Sequence, residues 1–275
     1  MLNGIRRAVG LGRRSGGDPT AGELIYAVGD IHGRYDLLKE LVALILEDWT
    51  RRDPDRRPVL IFCGDYVDRG PESAAVLEAL IWLQQRDDIQ ARFLKGNHEA
   101  ALMHFLDHPT DCASWQRFGG IETLRSYGVE PPSPDDADAC LAAQDLLLKR
   151  MPPSHVNFLE QLELMLVVGD YAFVHAGVQP GVDLDSQREE DLLWIRQTFL
   201  DDEGPFDKII VHGHSWTGAK PQILAHRIGI DTGAYATGVL TAVRLDGDEI
   251  SLIQTNTGDW LYAGNVFQSE SATRP

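Results

Sequence analysis

The chain has 275 residues, 43% of them apolar, and its 25 basic against 42 acidic residues leave a net charge of −17. Such a composition suits a globular protein with a sizeable core. Its sign argues against general attraction to nucleic acid or to an anionic membrane, so an anionic substrate must meet local cations.

Residues 1–22 carry Arg6, Arg7, Arg13 and Arg14 among glycines without a continuous apolar segment. They read as a disordered basic arm rather than a secretory signal. Residues 261–275 read as a tail, which leaves 23–260 for one domain. No segment is long and apolar enough to span a bilayer. The cysteines Cys63, Cys112 and Cys140 are odd in number and lack metal-type spacing. Neither a disulfide framework nor a thiolate zinc site is expected, and a cytoplasmic location fits.

Leu24 to Val28 is an apolar run that predicts a strand, and Tyr35 to Trp49 places leucines at 37, 38, 41 and 44 with Ile45, a helical spacing. The pattern recurs twice. Val59 to Cys63 precedes a helix over Ala74 to Leu83, with Pro71 where a helix could begin, and Ile89 to Leu94 precedes a helix over Ala100 to Leu106. Repeated βα units predict parallel strands with right-handed crossovers. About 109–161 no strand is evident; helices are expected at Ile121 to Tyr127, Ala137 to Lys149 and Ser154 to Leu162, set off by Pro131-Pro132 and Pro152-Pro153. This reads as a helical insertion that covers the sheet, with a lid or docking surface as the alternative. Strands then follow at Glu163 to Val168, Tyr171 to His175, Ile209 to His212, Val239 to Leu245 and Glu249 to Thr255, and this half reads as antiparallel. The expected class is α/β: two packed sheets with helices outside.

Three glycine-led blocks follow the first three strands: Gly29-Asp30-Ile31-His32-Gly33, Gly64-Asp65-Tyr66-Val67-Asp68-Arg69-Gly70 and Gly96-Asn97-His98-Glu99. Just beyond the carboxyl ends of strands is where open α/β sheets bind ligands. With His175 and His214, the set Asp30, His32, Asp65 and Asn97 offers carboxylate, imidazole and amide donors and no thiolate, which suits manganese, with iron or zinc as alternatives. The donors exceed what one tetrahedral ion needs and fit two ions sharing a bridging carboxylate, about 3.5–4 Å apart. Individually the glycines read as turn residues and a lone histidine as structural; the order of the blocks carries the signal. His104, His108, His155 and His226 match no block and read as surface or structural.

The order Gly-Asp-x-His-Gly, Gly-Asp-x-Val-Asp-Arg-Gly, Gly-Asn-His-Glu, His-Ala-Gly and Gly-His resembles the calcineurin-like metallophosphoesterases, and within them the phosphoprotein phosphatases of bacteria and phages. The resemblance covers roughly Leu24 to Thr255. It implies a four-layer α/β/β/α sandwich with two mixed sheets. It also implies that Asp30 and His32 hold one metal, Asp65 bridges, and Asn97, His175 and His214 complete the second. By the same resemblance His98 is the general acid, Asp68 its carboxylate partner, and Arg69 and Arg196 grip phosphate with Asn97 beside them. Two cations make hydroxide available near neutral pH for direct attack on phosphorus, so no covalent phosphoenzyme is expected. His214 is preferred over His212 as ligand, Glu99 is read as supporting its loop, and Asp231-Thr232-Gly233 as a strand-end turn near the rim. Trp216 stands where many superfamily members carry a further histidine, Lys95 stands where an arginine is frequent before the glycine, and the carboxyl-terminal region of eukaryotic members is missing.

The function expected is a metal-dependent phosphomonoesterase acting on phosphoserine, phosphothreonine or phosphotyrosine of a protein or peptide. The rival is a symmetrical dinucleotide tetraphosphate hydrolase, which generally lacks the Asp68-Arg69 pair. A catalytically silent metal-binding scaffold is the reading from another class.

Overall fold

The structure is a computed structural model that describes residues 18–256. Most of the predicted basic arm, with its four arginines, and the predicted tail lie outside these residues. Asp18 to Gly22 form a turn in which the Asp18 carboxylate accepts the N–H groups of Thr20 (2.9 Å) and Gly22 (3.1 Å).

Two five-stranded sheets carry the fold. The first has the order β10-β9-β1-β2-β3, with β1 (Leu24–Val28), β2 (Val59–Phe62) and β3 (Gln90–Phe93) parallel. The hairpin of β9 (Thr241–Asp246) and β10 (Glu249–Gln254) adds to β1 antiparallel. The second has the order β4-β5-β6-β8-β7. Here β4 (Met165–Val168) pairs antiparallel with β5 (Tyr171–Val174), while β5, β6 (Ile209–His212) and β8 (Arg227–Gly229) are parallel, and β7 (Gln222–Ile223) pairs antiparallel with β8. The antiparallel reading of this half is therefore corrected. The crossover from β5 to β6 runs through two short helices, Glu189–Trp194 and Gln197–Leu200, and such a crossover permits parallel pairing.

Side-chain alternation along the strands builds the layers. Ile25, Ala27, Val59 and Ile61 turn to the inter-sheet core, where they meet Tyr171, Phe173, Val211, Val243 and Leu245. Leu24, Tyr26, Val28, Leu60 and Phe62 turn outward onto the helices Tyr35–Arg52 and Ser73–Gln84. On the far side Ala172, Val174 and Ile210 pack against Leu192, Phe199 and Phe206. Helix, sheet, sheet and helix make the four layers. The insertion supplies the helices Cys112–Trp115, Ile121–Ser126, Ala137–Arg150 and Pro153–Glu160. A disulfide joins Cys112 to Cys140, contrary to the expectation from cysteine count. Packing of two insertion helices brings together residues 28 apart in the chain, which spacing alone does not reveal. Among the described residues no helix is long and apolar enough to cross a membrane.

Candidate metal centre

Every predicted ligand stands just past the carboxyl end of a strand: Asp30 and His32 after β1, Asp65 after β2, Asn97 after β3, His175 after β5 and His214 after β6. Parallel pairing within each sheet aligns these ends, and stacking of the sheets brings the two groups together. All six residues are at most 5% exposed.

Asp65 is the hub. Its carboxylate lies 3.5 Å from Nε2 of His32, 3.4 Å from Nε2 of His175 and 3.9 Å from Nε2 of His98. Two groups of three side chains, His32 with Asp65 and His98, and Asp65 with His175 and His214, each present donor atoms within 4.8 Å of one another. Asp30 belongs to neither group: its carboxylate accepts the backbone N–H of His214 (3.1 and 3.0 Å) and faces Asp231.

The donor set fits cations. Nδ1–H of His175 donates to the Cys63 carbonyl (2.8 Å), so its Nε2 is bare, yet that nitrogen stands 2.9 Å from Oδ1 of Asn97 and 3.4 Å from Oδ1 of Asp65. Three lone pairs converge with no proton among them. Likewise Nδ1–H of His32 donates to the Val67 carbonyl (2.9 Å), leaving Nε2 toward Asp65. Such a carbonyl fixes tautomer and ring orientation, as partners of metal-bound histidines commonly do. Nε2 of His214 is buried without a hydrogen-bond partner. Burial pushes His32 down to about 3 and also lowers His175 and His214, so all three rings are neutral and available as ligands. Burial and the neighbouring Asp231 and Asp65 drive Asp30 well above the carboxylate range, the mark of clustered carboxylates short of positive charge.

The backbone is bent to make this site. His32, Asp65, Asp68, Arg69 and His214 all have positive φ, between 48° and 71°, a conformation that costs non-glycine residues of order 1 kcal/mol or more each. Glu99 supplies a compensation. Its buried carboxylate accepts the N–H groups of Asp65 (2.8 Å), Tyr66 (2.8 Å), Val67 (3.2 Å) and Gly96 (2.9 Å) and clamps the second block to the third. Gly96 has to be glycine, since a Cβ there would overlap the Asp65 carboxylate. Glu99→Ala orphans four buried donors, and at about 1–3 kcal/mol for each unsatisfied group the loss is at least about 4 kcal/mol. A melting temperature lowered by at least ~8 °C is expected by calorimetry; an unchanged one would contradict the clamp.

Beside the hub lies the His98–Asp68 pair. Nδ1–H of His98 donates to Oδ2 of Asp68 (2.8 Å), and Asp65 together with Asp68 outweighs burial to raise the imidazole above its ordinary value. Asp68 is itself fixed by Trp115 Nε1–H (3.1 Å) and the Thr123 hydroxyl (2.6 Å), both from the insertion. The insertion therefore reaches the site rather than only covering the sheet. Arg69 donates to Nε2 of His98 (3.0 Å) with its guanidinium 4.7 Å from the centre of the Tyr235 ring. Arg196 is exposed at the start of the helix Gln197–Leu200, and its charge is felt by His175 and His214. His212 is buried against Phe199, with Nδ1 bonded to the Gly213 carbonyl, apart from both donor groups.

Nothing in the sequence spacing marks Trp115, Thr123 or Tyr235 as neighbours of the site. Asp231 carried a weak signal as part of Asp231-Thr232-Gly233. Buried beside Asp30, it is raised to about 6, chiefly by burial and by Asp65, while its carboxylate accepts the Gly233 N–H (2.8 Å).

An asymmetrical bis(5'-nucleosyl)-tetraphosphatase of Bacillus cereus is 26% identical over 243 residues, covering 81% of this chain and 91% of that protein. A symmetrical bis(5'-nucleosyl)-tetraphosphatase of Nitrosospira multiformis is 29% identical over 161 residues, 58% of this chain and 46% of that one. A solved structure provisionally described as a diadenosine tetraphosphatase superposes with a TM-score of 0.58 at 21% identity, covering 87% of this chain and 97% of its own. The profile of the calcineurin-like phosphoesterases matches residues 24–235, and with the fold and donor set in place the chain belongs to that family of metal-dependent hydrolases.

Proposed function

We propose that this chain hydrolyses a phosphoanhydride bond of dinucleoside tetraphosphates. The observation that carries the reading is similarity to an asymmetrical tetraphosphatase over nearly the whole length of that protein. It replaces the phosphoprotein substrate expected from the Asp68-Arg69 pair as the leading reading, and it favours asymmetrical over symmetrical cleavage. Asp30, His32 and Asp65 on one side, and Asp65, Asn97, His175 and His214 on the other, would hold two divalent ions, manganese being the first to test. When bound, such ions acidify water and polarise phosphoryl oxygens.

The chain's own residues supply the rest. Arg69 and Arg196 bind phosphoryl oxygens, and guanidinium geometry favours two-point contact. A phosphate that draws Arg69 away from His98 frees Nε2 to carry a proton to the leaving oxygen, while Asp68 holds the ring in line. One water adds across one P–O–P bond; asymmetrical cleavage leaves a nucleoside monophosphate and a nucleoside triphosphate.

The same acid favours a second reading, a phosphoprotein phosphatase, because a serine alkoxide needs protonation more than a polyphosphate does. Diadenosine tetraphosphate and a phosphopeptide set are incubated with the enzyme in manganese buffer and products separated by anion exchange. AMP with ATP supports the proposal, ADP alone points to symmetrical cleavage, phosphate from peptides alone selects the second reading, and no turnover selects a silent scaffold. Manganese is expected to raise the melting temperature after chelation, since it binds the folded state; no shift would count against the ligand set. A cytoplasmic location is part of the proposal, and nucleic acid and membrane are not proposed as partners.

A further inference from the structure

Six aromatic rings form a continuous row across the metal centre. Trp194 lies 5.8 Å from Phe118, Phe118 6.1 Å from His98, His98 4.6 Å from His32, His32 5.3 Å from Tyr235, and Tyr235 6.1 Å from Trp216, measured between ring centroids. The two central imidazoles are buried, but Phe118, Trp194 and Trp216 are 39%, 40% and 36% exposed. These exposed rings flank the buried pair, Phe118 beside His98 with Trp194 beyond it, and Trp216 beside the Tyr235 that meets His32. Each end is also backed by structure. Trp216 lies against Gly233, where an added Cβ would stand 2.6 Å from the indole, and Phe118 follows the Trp115 whose indole is bonded to Asp68. Arg69 stacks on Tyr235, and Arg196 is two residues beyond Trp194. A rigid ring, open on one side and next to phosphate-binding cations, is the arrangement that stacks a nucleobase whose phosphates lie on those cations.

We infer that the two ends of this row are nucleobase platforms, Trp194 with Phe118 for the nucleotide that leaves and Trp216 for the nucleotide that is attacked. The assignment of ends follows from Phe118 adjoining His98, the residue that faces the leaving oxygen. This rests on the dinucleotide reading and assigns residues to its two bases.

The test compares diadenosine tetraphosphate with tripolyphosphate, an anhydride without a base, in manganese buffer. Stacking strength predicts that Trp194→Ala and Trp216→Ala each lower the ratio of kcat/KM for the dinucleotide to that for tripolyphosphate by roughly tenfold. Trp194→Tyr, which keeps a ring, restores most of the ratio. Trp82→Ala, at an exposed tryptophan of the helix Ser73–Gln84 that stacks on Arg86, leaves both substrates as in the parent enzyme. Unchanged ratios in both alanine variants with the dinucleotide still hydrolysed overturn the platforms and leave the dinucleotide reading standing. If the parent enzyme does not hydrolyse the dinucleotide, that reading fails, and intrinsic fluorescence decides the platforms separately. Quenching by AMP that diminishes in both variants upholds them, and quenching that is absent or undiminished overturns them.

Discussion

Asp65→Asn is expected to lower kcat by at least roughly a thousandfold, because one carboxylate serves both donor groups and the ions they would hold contribute several kcal/mol to charge stabilisation. The substitution keeps Oδ1, which accepts the His98 backbone N–H at 3.1 Å, so the loop retains its hydrogen bond and the protein should still fold. Metal content by mass spectrometry should fall with turnover of an aryl phosphate. Wild-type turnover would remove the two-ion assignment; lost turnover with a collapsed melting curve would mean that the variant had tested folding instead.

His98→Asn carries the second large effect, and its size should depend on the leaving group. General acid catalysis is worth about 10²–10⁴-fold, most where the departing oxygen is a poor leaving group. A phosphoserine peptide, if it is a substrate, should therefore lose far more than diadenosine tetraphosphate or an aryl phosphate, whose departing groups are stabilised anions. Equal losses across these substrates would assign His98 a structural or ligand role, which its place in one of the two donor groups makes a concrete alternative. Asp68→Asn should reproduce the pattern at smaller size, since Asp68 reaches the proposed acid through Nδ1 of His98.

Part of this was legible in the chain. Leu24 to Val28 and Val59 to Phe62 are unbroken apolar runs, the helices that follow place apolar residues at helical spacing, and the polar blocks just after the strands locate the centre at the strand ends. In the second half β7 and β8 are two and three residues long and the crossover helices six and four, too short for any period to show, so these strands leave no sequence signal and the parallel pairing of β5 with β6 is hidden. Glu99 reads as supporting its own loop, but its four backbone partners come from two separate glycine-led blocks.

The sequence by itself determined the family resemblance, the βα repeats and the candidates for metal ligation, because these depend on local period and on ordered motifs. Only the tertiary structure decided which side chains meet. It turned the bare nitrogens of His32 and His175 toward Asp65, brought Trp115 and Thr123 from the insertion onto Asp68, joined Cys112 to Cys140, and lined up the rings of Phe118, His98, His32 and Tyr235 across the centre. The physical reason is that such contacts arise from the stacking of two sheets and the docking of an insertion, interactions between residues distant in the chain that leave no periodic trace in it.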